Sequence, residues 1–448
     1  MPFIPHNDAD VAQMLQVIGA TSIDELFDEI PPAIRSGALR VTPPGAPEMD
    51  VLRLMQQRAE QDRAGTCFLG AGCYDHHIPA AVWDLVGRGE FLTAYTPYQA
   101  EASQGTLQLI YEYQSMITRL MAMDVSNASV YDGGSGLGEA VLMAIRAAKK
   151  GQERRILVAD SLHPLMRRAA WNVARYQEVV FESMPLKDGR VDTDCLDALP
   201  PAAAVVVPQP GFFGCIEDVD TITDWAHARG ALVIGVVNPL VMSVLKPPGH
   251  WGEKGADIVC GEGQPLGIPM ASGGPSFGFL CCTQALVRQI PGRIIGKTVD
   301  LEGRTGYALT LQAREQHIRR AKATSNICTN QGLLVTAASI HMALLGPEGL
   351  ARAAKASHAG LRRLVEGVCG IPGVVRAHVA PCFHETVLTL PKPAAAVRDA
   401  MFKAGIQAGL PLSELFPERS HDLLVCVTEK RTVEEIDHYV RTLGEVLA

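Results

Sequence analysis

The segment Ile156-Leu157-Val158-Ala159 is the first of five short apolar segments separated by turn residues and helix-like stretches. The other four are Ala204-Val205-Val206-Val207, Ala231 to Val237, Asp257 to Cys260 and Phe277 to Cys282. Uninterrupted Val, Ile and Leu without alternating polar residues indicate strands buried on both faces, as in parallel sheets covered by helices. We therefore expect an α/β layer built on a mainly parallel sheet between residues 156 and 282.

A smaller domain is predicted on the C-terminal side of this layer. Helical sequence from Gln331 to Leu345 is interrupted by Gly346-Pro347-Glu348-Gly349, which favours a domain boundary nearby. Two strand candidates follow, His384 to Leu390 and Leu423 to Val427. The predicted division is a large α/β domain over residues 66–335 and a small α+β domain over residues 336–448.

Both ends of the chain carry helix-start signals. Ser22 and Glu25 have the spacing of a capping box, and the sequence from Met49 to Ala64 is rich in helix-forming residues. Thr432 and Glu435 have the same capping-box spacing before the last apolar-periodic segment. We predict a helical N-terminal segment over residues 1–65 and a closing C-terminal helix.

Composition limits the classes of function. The 448 residues are 47% hydrophobic and 20% charged, with a formal net charge of −8, so the chain is typical of a folded globular protein. Its negative charge gives no long-range attraction to nucleic acid or to anionic membranes. The apolar runs are far below the roughly 18 residues that cross a bilayer, and the start lacks a signal-peptide pattern. We expect a cytoplasmic protein with no nucleic-acid or membrane partner.

The cysteines and histidines do not show a metal-binding spacing. The eleven cysteines include no CxxC pair, and several lie in strand-like sequence, namely Cys260, Cys281, Cys282 and Cys426. Reduced, buried thiols that act as small hydrophobic groups explain these positions best, with a zinc site or a thiol nucleophile as alternatives. His76 and His77 are adjacent, so their side chains diverge and do not easily ligate one metal ion. No metal site is predicted.

A glycine-rich stretch from Asp132 to Glu139 leads into an apolar-periodic helix. Gly133, Gly134 and Ser135 therefore lie at a helix N-terminus, where free backbone N–H groups and the helix dipole favour an anion. The stretch matches neither the dinucleotide-binding nor the P-loop glycine pattern. A phosphate cradle and a plain glycine-rich helix start both stay open.

A second candidate is the aromatic and polar stretch between Phe91 and Gly105. Loops dense in hydrogen-bonding and aromatic side chains bind ligands or partners more often than they merely connect elements. An ordered surface turn is the alternative. The candidate residues are Tyr95, Thr96, Tyr98, Gln99, Ser103 and Gln104.

A third candidate is the basic region around His317. His317 ends the helix-like sequence that starts at Leu309, and Thr324, Ser325 and Asn326 follow a few residues later. A solvated basic helix face and a site that faces an anion are both compatible with this pattern. Thr324, Ser325 and Asn326 either contact an active site or cap a helix.

Taken together, these segments resemble the glycine decarboxylase P-protein family of the glycine cleavage system, specifically its N-terminal-half or α-type chains. The resemblance runs along the whole chain. It rests on Phe68 to Gly72 with His77-Ile78-Pro79, Tyr95 to Gly105, Asn127 to Ser129, Asp132 to Glu139, Leu245 to Gly249, Gly273 to Pro275, Arg314 to Arg320 and Lys322 to Thr329.

The resemblance implies the fold of type I, aspartate-aminotransferase-like enzymes that use pyridoxal phosphate (PLP). It also implies glycine dehydrogenase (aminomethyl-transferring) activity, in which glycine is decarboxylated and its aminomethyl group passes to the lipoyl arm of H-protein. PLP enzymes of this kind hold the cofactor through a lysine amine. Here no lysine occurs from Ala256 to Leu280, and Gln264 occupies the corresponding region. The predicted strand that ends at Val237 is followed by Asn238, where the fold needs an acidic residue near the pyridine nitrogen.

These departures imply that PLP is bound covalently by a separate subunit 2, with which this chain forms an α2β2 heterotetramer. No catalytic residue is then expected on this chain alone. Gly133, Gly134 and Ser135 become a vestigial cradle, and the residues named between Tyr95 and Gln104 and from Thr324 to Asn326 support the active site or the interface. The alternatives are a non-catalytic scaffold that stabilises the PLP subunit and docks H-protein, and a standalone PLP enzyme that uses Lys246, Lys254 or Lys297.

Overall fold

The computed structural model describes residues 5–37, 41–62, 65–148 and 153–448. The chain divides into two compact units, residues 1–63 and residues 64–448. The helices are α1 (Asp8–Ile18), α2 (Glu48–Gln61), α3 (Ala80–Val86), α4 (Gln104–Met121), α5 (Gly133–Ala147), α6 (Pro164–Ala174), α7 (Val219–Ala228), α8 (Gln316–Arg319), α9 (Gly332–Val368), α10 (Ala394–Lys403) and α11 (Val433–Leu447).

The strands are short. They are β1 (Thr66–Cys67), β2 (Val125–Ser126), β3 (Arg155–Ala159), β4 (Val180–Met184), β5 (Leu186–Lys187), β6 (Arg190–Val191), β7 (Ala204–Gln209), β8 (Leu232–Val237), β9 (Ile258–Glu262), β10 (Gly278–Cys282), β11 (Ile294–Val299), β12 (Thr305–Thr310), β13 (Val375–Arg376), β14 (Glu385–Thr389), β15 (Ile406–Gln407), β16 (Leu410–Pro411) and β17 (Asp422–Cys426).

The central sheet confirms the predicted α/β layer. Its seven strands have the order β2-β10-β9-β8-β7-β3-β4. Strands β9, β8, β7, β3 and β4 run parallel, whereas β10 is antiparallel to both of its neighbours. Every residue of β7 and of β10 is buried, as expected for strands covered on both faces. The apolar run at β10 was therefore placed correctly, but it does not join the parallel set.

Two apolar cores cover the faces of this sheet. One contains side chains of α4 and of the first half of α9, and the other is built largely from α5 and its neighbour α6. A four-stranded antiparallel sheet, β13-β14-β17-β16, forms a further core with α10, α11 and the second half of α9. Helix α9 thus contributes to the cores of both sheets. The predicted division into domains over residues 66–335 and 336–448 stays a prediction.

Helix α9 is the one helix of the described residues that is long and apolar enough to cross a membrane. Half of its apolar stretch is buried inside the protein, and Gly346 interrupts it with φ 60° and ψ −178° just before Pro347. Packing against the central sheet accounts for the apolar side chains of its first half. The expectation that no segment crosses a membrane stays a prediction.

The N-terminal unit contains α1 and α2, and no residue of either helix is buried. The predicted helix from Met49 is confirmed as α2, while the end of that prediction, Ala64, lies outside the described residues. The predicted capping box at Ser22 is wrong, because the Ser22 side chain makes no capping bond. Glu25 accepts hydrogen bonds from the backbone N–H of Thr21, at 2.8 Å, and from the Thr21 hydroxyl.

The predicted C-terminal elements are confirmed. Strands β14 and β17 pair antiparallel, and α11 begins with the reciprocal capping box of Thr432 and Glu435. A continuous helix from Leu309 to His317 is wrong, because β12 extends to Thr310 in a hairpin with β11 and only the short α8 follows. Pairing between strands overrides the local helix-like pattern there.

Candidate functional site

A cavity of about 80 Å³ lies at the carboxyl ends of β7, β8 and β9. Parallel strands end at the same edge of a sheet, and this edge is where open α/β sheets bind ligands. The residues around it come from these strand ends, from the loop before α3, from the start of α6 and from the start of β14. The polar ones are Tyr74, His163, Asn238, Glu262, His384 and Glu385.

Gln264 lies just beyond the end of β9, and its amide is fully engaged. Its Oε1 accepts a hydrogen bond from the Tyr74 backbone N–H at 2.8 Å. Its Nε2 donates to the Tyr74 carbonyl at 2.9 Å and to the Ile268 carbonyl at 2.7 Å. Only 3% of the residue is exposed. The side chain at this position is therefore a structural link, and it has neither a free group nor the chemistry to hold an aldehyde.

The predicted cradle at the start of α5 is occupied by the chain's own carboxylates. The N–H of Gly133 donates to Glu262 Oε2 at 3.0 Å, and the N–H of Ser135 donates to Asp132 Oδ1 at 2.7 Å. Gly134 lines a neighbouring cavity of about 530 Å³ that Glu262 and Gln264 also line. The glycine-rich helix start is confirmed, and an anion does occupy its N-terminus, but the anion belongs to the protein.

Asn238 ends β8, as its sequence position predicts. Its Oδ1 accepts hydrogen bonds from the backbone N–H groups of Leu240, at 3.0 Å, and Val241, at 3.4 Å. Its Nδ2 is buried, with no hydrogen-bond partner among the described residues. An amide that turns the chain in this way supplies no negative charge for a pyridinium nitrogen.

The residues around the cavity do not fit PLP. The cavity at the strand ends has a volume of about 80 Å³, below the roughly 300 Å³ at which small-molecule pockets begin, and the cavity of about 530 Å³ beside it is lined by Glu262 and Gln264 and by no described lysine. Gln264 cannot form an imine, and Glu262 accepts the Gly133 N–H bond that a phosphate at this helix start would take.

The far side of the cavity is closed by a buried network around Glu385. Its carboxylate accepts hydrogen bonds from the Ala71 N–H at 2.7 Å and from the Tyr74 hydroxyl at 2.8 Å. Burial raises the pKa of Glu385 to about 7, and burial lowers the pKa of the neighbouring His384 to about 3. His163 donates from Nε2 to the Ala71 carbonyl at 2.8 Å. These contacts and Gln264 hold the loop from Ala71 to Tyr74 over the cavity.

The predicted aromatic loop lies at the surface before α4. Tyr95 is 85% exposed and Tyr98 is 52% exposed, while Thr96 and Ser103 are partly buried and Gln99 is exposed. Gln104 is a structural tie, because its amide bonds the Ala100 and Tyr307 carbonyls and the Tyr307 N–H. The loop therefore presents aromatic rings to its surroundings from an anchored base.

Arg293 joins this loop to the segment that follows Asn326. Its guanidinium donates to the Tyr98 hydroxyl at 3.3 Å, to the Cys328 carbonyl at 2.7 Å and to the Thr329 hydroxyl at 2.7 Å. It also lies 5.5 Å from the centre of the Tyr98 ring, although only 2% of Arg293 is exposed. A buried arginine with its donors shared between two loops fixes their relative position.

Thr324, Ser325 and Asn326 line a cavity of about 620 Å³ together with Ser135 and Glu139. Burial raises the pKa of Glu139. The structure thus brings Ser135 close to the second predicted segment, whereas Tyr98 reaches that segment only through Arg293. The loop from Tyr95 to Gln104 and the segment from Thr324 to Asn326 are thus joined through Arg293 and the residues after Asn326, but neither lines the cavity of about 80 Å³.

The basic region around His317 is mostly exposed, since His317, Arg319, Arg320 and Lys322 all face solvent, and both interpretations of it stay predictions. Its ring lies edge-on to the Tyr98 ring at a centroid distance of 5.6 Å. Arg314 is partly buried and donates to the Ile290 carbonyl, so it is not a solvated helix residue. His317 thus packs beside the aromatic loop, and no anion-facing role follows from its contacts.

Among the residues that the structure describes, no group of three or more His, Cys, Asp or Glu side chains could hold a metal ion. His76 and His77 diverge as predicted. The His76 ring bonds Glu429 Oε2 at 2.7 Å, whereas His77 uses its backbone N–H to bond Glu429 Oε1 at 2.6 Å. Cys260, Cys281, Cys282 and Cys426 are free and buried, as predicted.

Sequence reasoning missed Glu262 and Arg293. Glu262 lies inside the stretch that lacks a lysine, and its position at a strand end next to a predicted helix start is the only local signal. Arg293 has no local signal, because its partners are distant in the chain. Both residues are identified by contacts that only the folded chain creates.

Comparison with known proteins gives a consistent result. Residues 1–443 match the family described as "Glycine cleavage system P-protein". A protein of Thiobacillus denitrificans is 57% identical over 455 residues, which cover 100% of this chain and 97% of that protein. One from Nitrosospira multiformis is 56% identical over 451 residues, with coverage of 100% and 99%. Both are named probable glycine dehydrogenase (decarboxylating) subunit 1.

Solved structures agree. A crystal structure of glycine decarboxylase (P-protein) of the glycine cleavage system, in inhibitor-bound form, is 42% identical, has a TM-score of 0.88 and is matched over 100% of both chains. A Lactobacillus brevis glutamate decarboxylase is 11% identical with a TM-score of 0.68, covering 92% of this chain and 95% of that one. The second likeness shows the fold alone, which is the predicted fold type I architecture.

Proposed function

The chain belongs to the family of glycine cleavage system P-proteins, and from that premise we propose that it is subunit 1 of a glycine dehydrogenase (decarboxylating). It acts on glycine only in a complex with a second subunit that binds PLP covalently. The names of its relatives support the activity, and the word "subunit" in those names supports a partner.

The hydrogen-bonded amide of Gln264 supports the proposal that a second subunit binds PLP covalently. A PLP enzyme needs a lysine amine at the strand end beside the cofactor. Here an amide with three hydrogen bonds occupies that place, and the adjoining cavity is small. Lys246, Lys254 and Lys297 are not among the described residues that line it. A lysine of another chain must then supply the amine.

The exposed aromatic loop is the part of this chain that we assign to the shared site. Tyr95, Thr96, Tyr98, Gln99 and Ser103 face the partner's cofactor or substrate in this proposal. Large exposed aromatic side chains are enriched where proteins meet partners. Hydroxyl and amide groups can donate to the glycine carboxylate, and exclusion of water by the rings strengthens such bonds.

Arg293 has a positioning role in the same proposal. It fixes Tyr98 against Cys328 and Thr329, which follow the segment from Thr324 to Asn326 by two and three residues. A rigid supporting contact of this kind keeps substrate-facing groups within the narrow range that catalysis needs.

The proposal also names the wider assembly. The aminomethyl group passes to the lipoyl arm of H-protein, and two copies of each subunit form an α2β2 complex. We place it in the cytoplasm, where the free cysteines of this chain match a reducing compartment.

Reconstitution tests the proposal. We expect the purified chain to lack the absorbance of lysine-bound PLP and to give no glycine–bicarbonate exchange. Mixing it with subunit 2, which carries the PLP-binding lysine, should produce glycine–bicarbonate exchange that depends on H-protein. The lysine-bearing subunit alone is the control and should be inactive or nearly so.

Two results would contradict the proposal. A PLP adduct trapped on this chain alone with borohydride would move the cofactor to this subunit. Full exchange by the partner without this chain would leave only the scaffold role, in which loop substitutions change affinity for the partner but not turnover of the saturated complex.

A further inference from the structure

The N-terminus of α5 is already neutralised inside this chain. Gly133 N–H donates to Glu262 Oε2 at 3.0 Å, Ser135 N–H donates to Asp132 Oδ1 at 2.7 Å, and Gly136 N–H donates to the Asp132 carbonyl at 2.9 Å. A helix of this length offers these groups to an external anion when they are free. Here carboxylates accept the Gly133 and Ser135 N–H bonds, whereas the Gly136 N–H makes the first ordinary helical bond to a backbone carbonyl.

Glu262 is held in this position by several contacts. Its other oxygen, Oε1, accepts hydrogen bonds from the Ser276 hydroxyl and, at 3.2 Å, from the Gln264 N–H. The Gly133 backbone lies against the end of β9, because a Cβ added there would be 2.8 Å from the Glu262 nitrogen. The carboxylate therefore sits where the strand end and the helix start approach most closely, and it has little freedom to leave.

We propose that Glu262 is an internal substitute for a phosphate and that it excludes phosphorylated ligands, PLP among them, from this chain. The carboxylate fills the anion position at the helix, and an incoming phosphate would meet its negative charge and that of Asp132. Negative charges that compete for the same N–H groups repel each other strongly in a partly buried site. The proposal deepens the proposed function, on which it rests, by giving a reason why only the partner holds the cofactor.

The missing lysine does not by itself exclude PLP from this chain. A chain that lacks the lysine could still bind PLP noncovalently through its phosphate. Glu262 removes that possibility, so the two departures act on different parts of the cofactor. The partner then does not compete with this chain for PLP.

The test measures phosphate binding by the full chain without its partner. The melting temperature is followed while inorganic phosphate replaces chloride at constant ionic strength. The measurement is made at pH 8, because burial raises the pKa of Glu262 and the argument needs the ionised form. We expect the wild-type chain to show only the general rise in melting temperature that a kosmotropic anion gives to folded proteins, and the Glu262 variants to exceed it.

Glu262→Ala should melt at a lower temperature in chloride, and phosphate should raise its melting temperature by about 2 °C or more beyond the wild-type rise, since a ligand that binds only the folded state stabilises it. Glu262→Ser, which leaves a short hydroxyl, has the same expected response and replaces the first variant if that one does not fold.

Glu217→Ala is the matched control. Glu217 is also a buried carboxylate that accepts a backbone N–H bond, from Val191 at 2.8 Å, and although it directly precedes the N-cap of α7, its carboxylate bonds Val191 and Ser161 and not the N–H groups of that helix. We expect this variant to be destabilised, with a phosphate response no larger than that of the wild-type chain. An equal response of wild type and the Glu262 variants, or no response of either Glu262 variant beyond that of Glu217→Ala, would overturn the proposal. Neither measurement uses glycine or the partner subunit. A failure of this proposal is therefore distinguishable from a failure of the proposed function, which the reconstitution experiment tests.

Discussion

Gln264 shows how a single residue can change from a reactive to a structural role. A lysine here would have to bury an ammonium group among carbonyls and one N–H, and it could not accept the Tyr74 hydrogen bond. The amide satisfies all three backbone groups. The Gln264 amide therefore anchors the loop over the cavity, and it lacks the amine that binds an aldehyde.

We expect Gln264→Ala to lower the free energy of unfolding by roughly 3 kcal/mol, because each backbone group left unpaired in the interior costs about 1–3 kcal/mol. Chemical denaturation measures the change. Gln108→Ala is the control, since Gln108 bonds only Glu112 at an exposed site and its loss should cost less than about 0.5 kcal/mol. Equal effects of the two substitutions would show that the Gln264 amide is not a structural link.

Glu385 makes stability depend on pH. Its pKa is raised from 4.5 to about 7 by burial, so the folded chain binds this proton more tightly than the unfolded chain. The contribution is fully present below about pH 4.5 and is lost as pH rises through 7, by up to about 3 kcal/mol.

Glu385→Gln should flatten this part of the pH profile of unfolding. The pKa of Glu217 is also raised to about 7 by burial, so part of the slope should remain in the single variant and disappear when Glu217→Gln is added. A profile that is unchanged in the double variant would assign the pH dependence to other groups.

At the scale of elements, the loop before α4 and the segment after α8 owe their arrangement to Arg293. Both had been identified from their residue types, but nothing local indicates that they touch. The helix-like sequence from Leu309 was misinterpreted for a related reason. Its first two residues, Leu309 and Thr310, pair with β11 in a hairpin, and cross-strand pairing outweighs local propensity there.

In the reconstituted complex, we expect Tyr95→Phe and Ser103→Ala each to lower turnover by roughly tenfold without loss of assembly, because each removes a hydroxyl worth about 1 kcal/mol or more in a closed site. Glycine–bicarbonate exchange at saturating partner measures this. Tyr176→Phe is the matched control, since Tyr176 is 83% exposed but lies far along the chain from the loop. Unchanged turnover in both loop variants would remove the loop from the site.

The whole molecule combines a closed ligand position with an exposed aromatic loop. In our proposal, the first property keeps PLP away from this chain, and the second supplies a surface for the subunit that carries PLP. A subunit built this way has no complete site by itself. Its activity then depends on assembly.

Sedimentation of the mixed subunits should show one complex with two copies of each chain, since oligomers usually close by two-fold symmetry. Each subunit sedimented alone is the control. A complex of one copy of each chain that is fully active would contradict the α2β2 proposal while leaving the shared site intact.

Much of the fold was predictable because its signals are local. The buried strands are continuous apolar runs, and the closing helix carries its own capping box at Thr432 and Glu435. The absence of a lysine near Gln264 is also a local fact, and together with the family resemblance it predicts that another subunit binds the cofactor.

Only the tertiary structure decided which groups meet at the start of α5 and beside the aromatic loop. The Glu262 carboxylate meets the N–H of Gly133, 129 positions earlier in the chain, and Arg293 meets Tyr98 at a separation of 195. The antiparallel direction of β10 is likewise set by its partners. Residue types and spacing describe neighbours along the chain, whereas these contacts depend on the path that the whole chain takes through space.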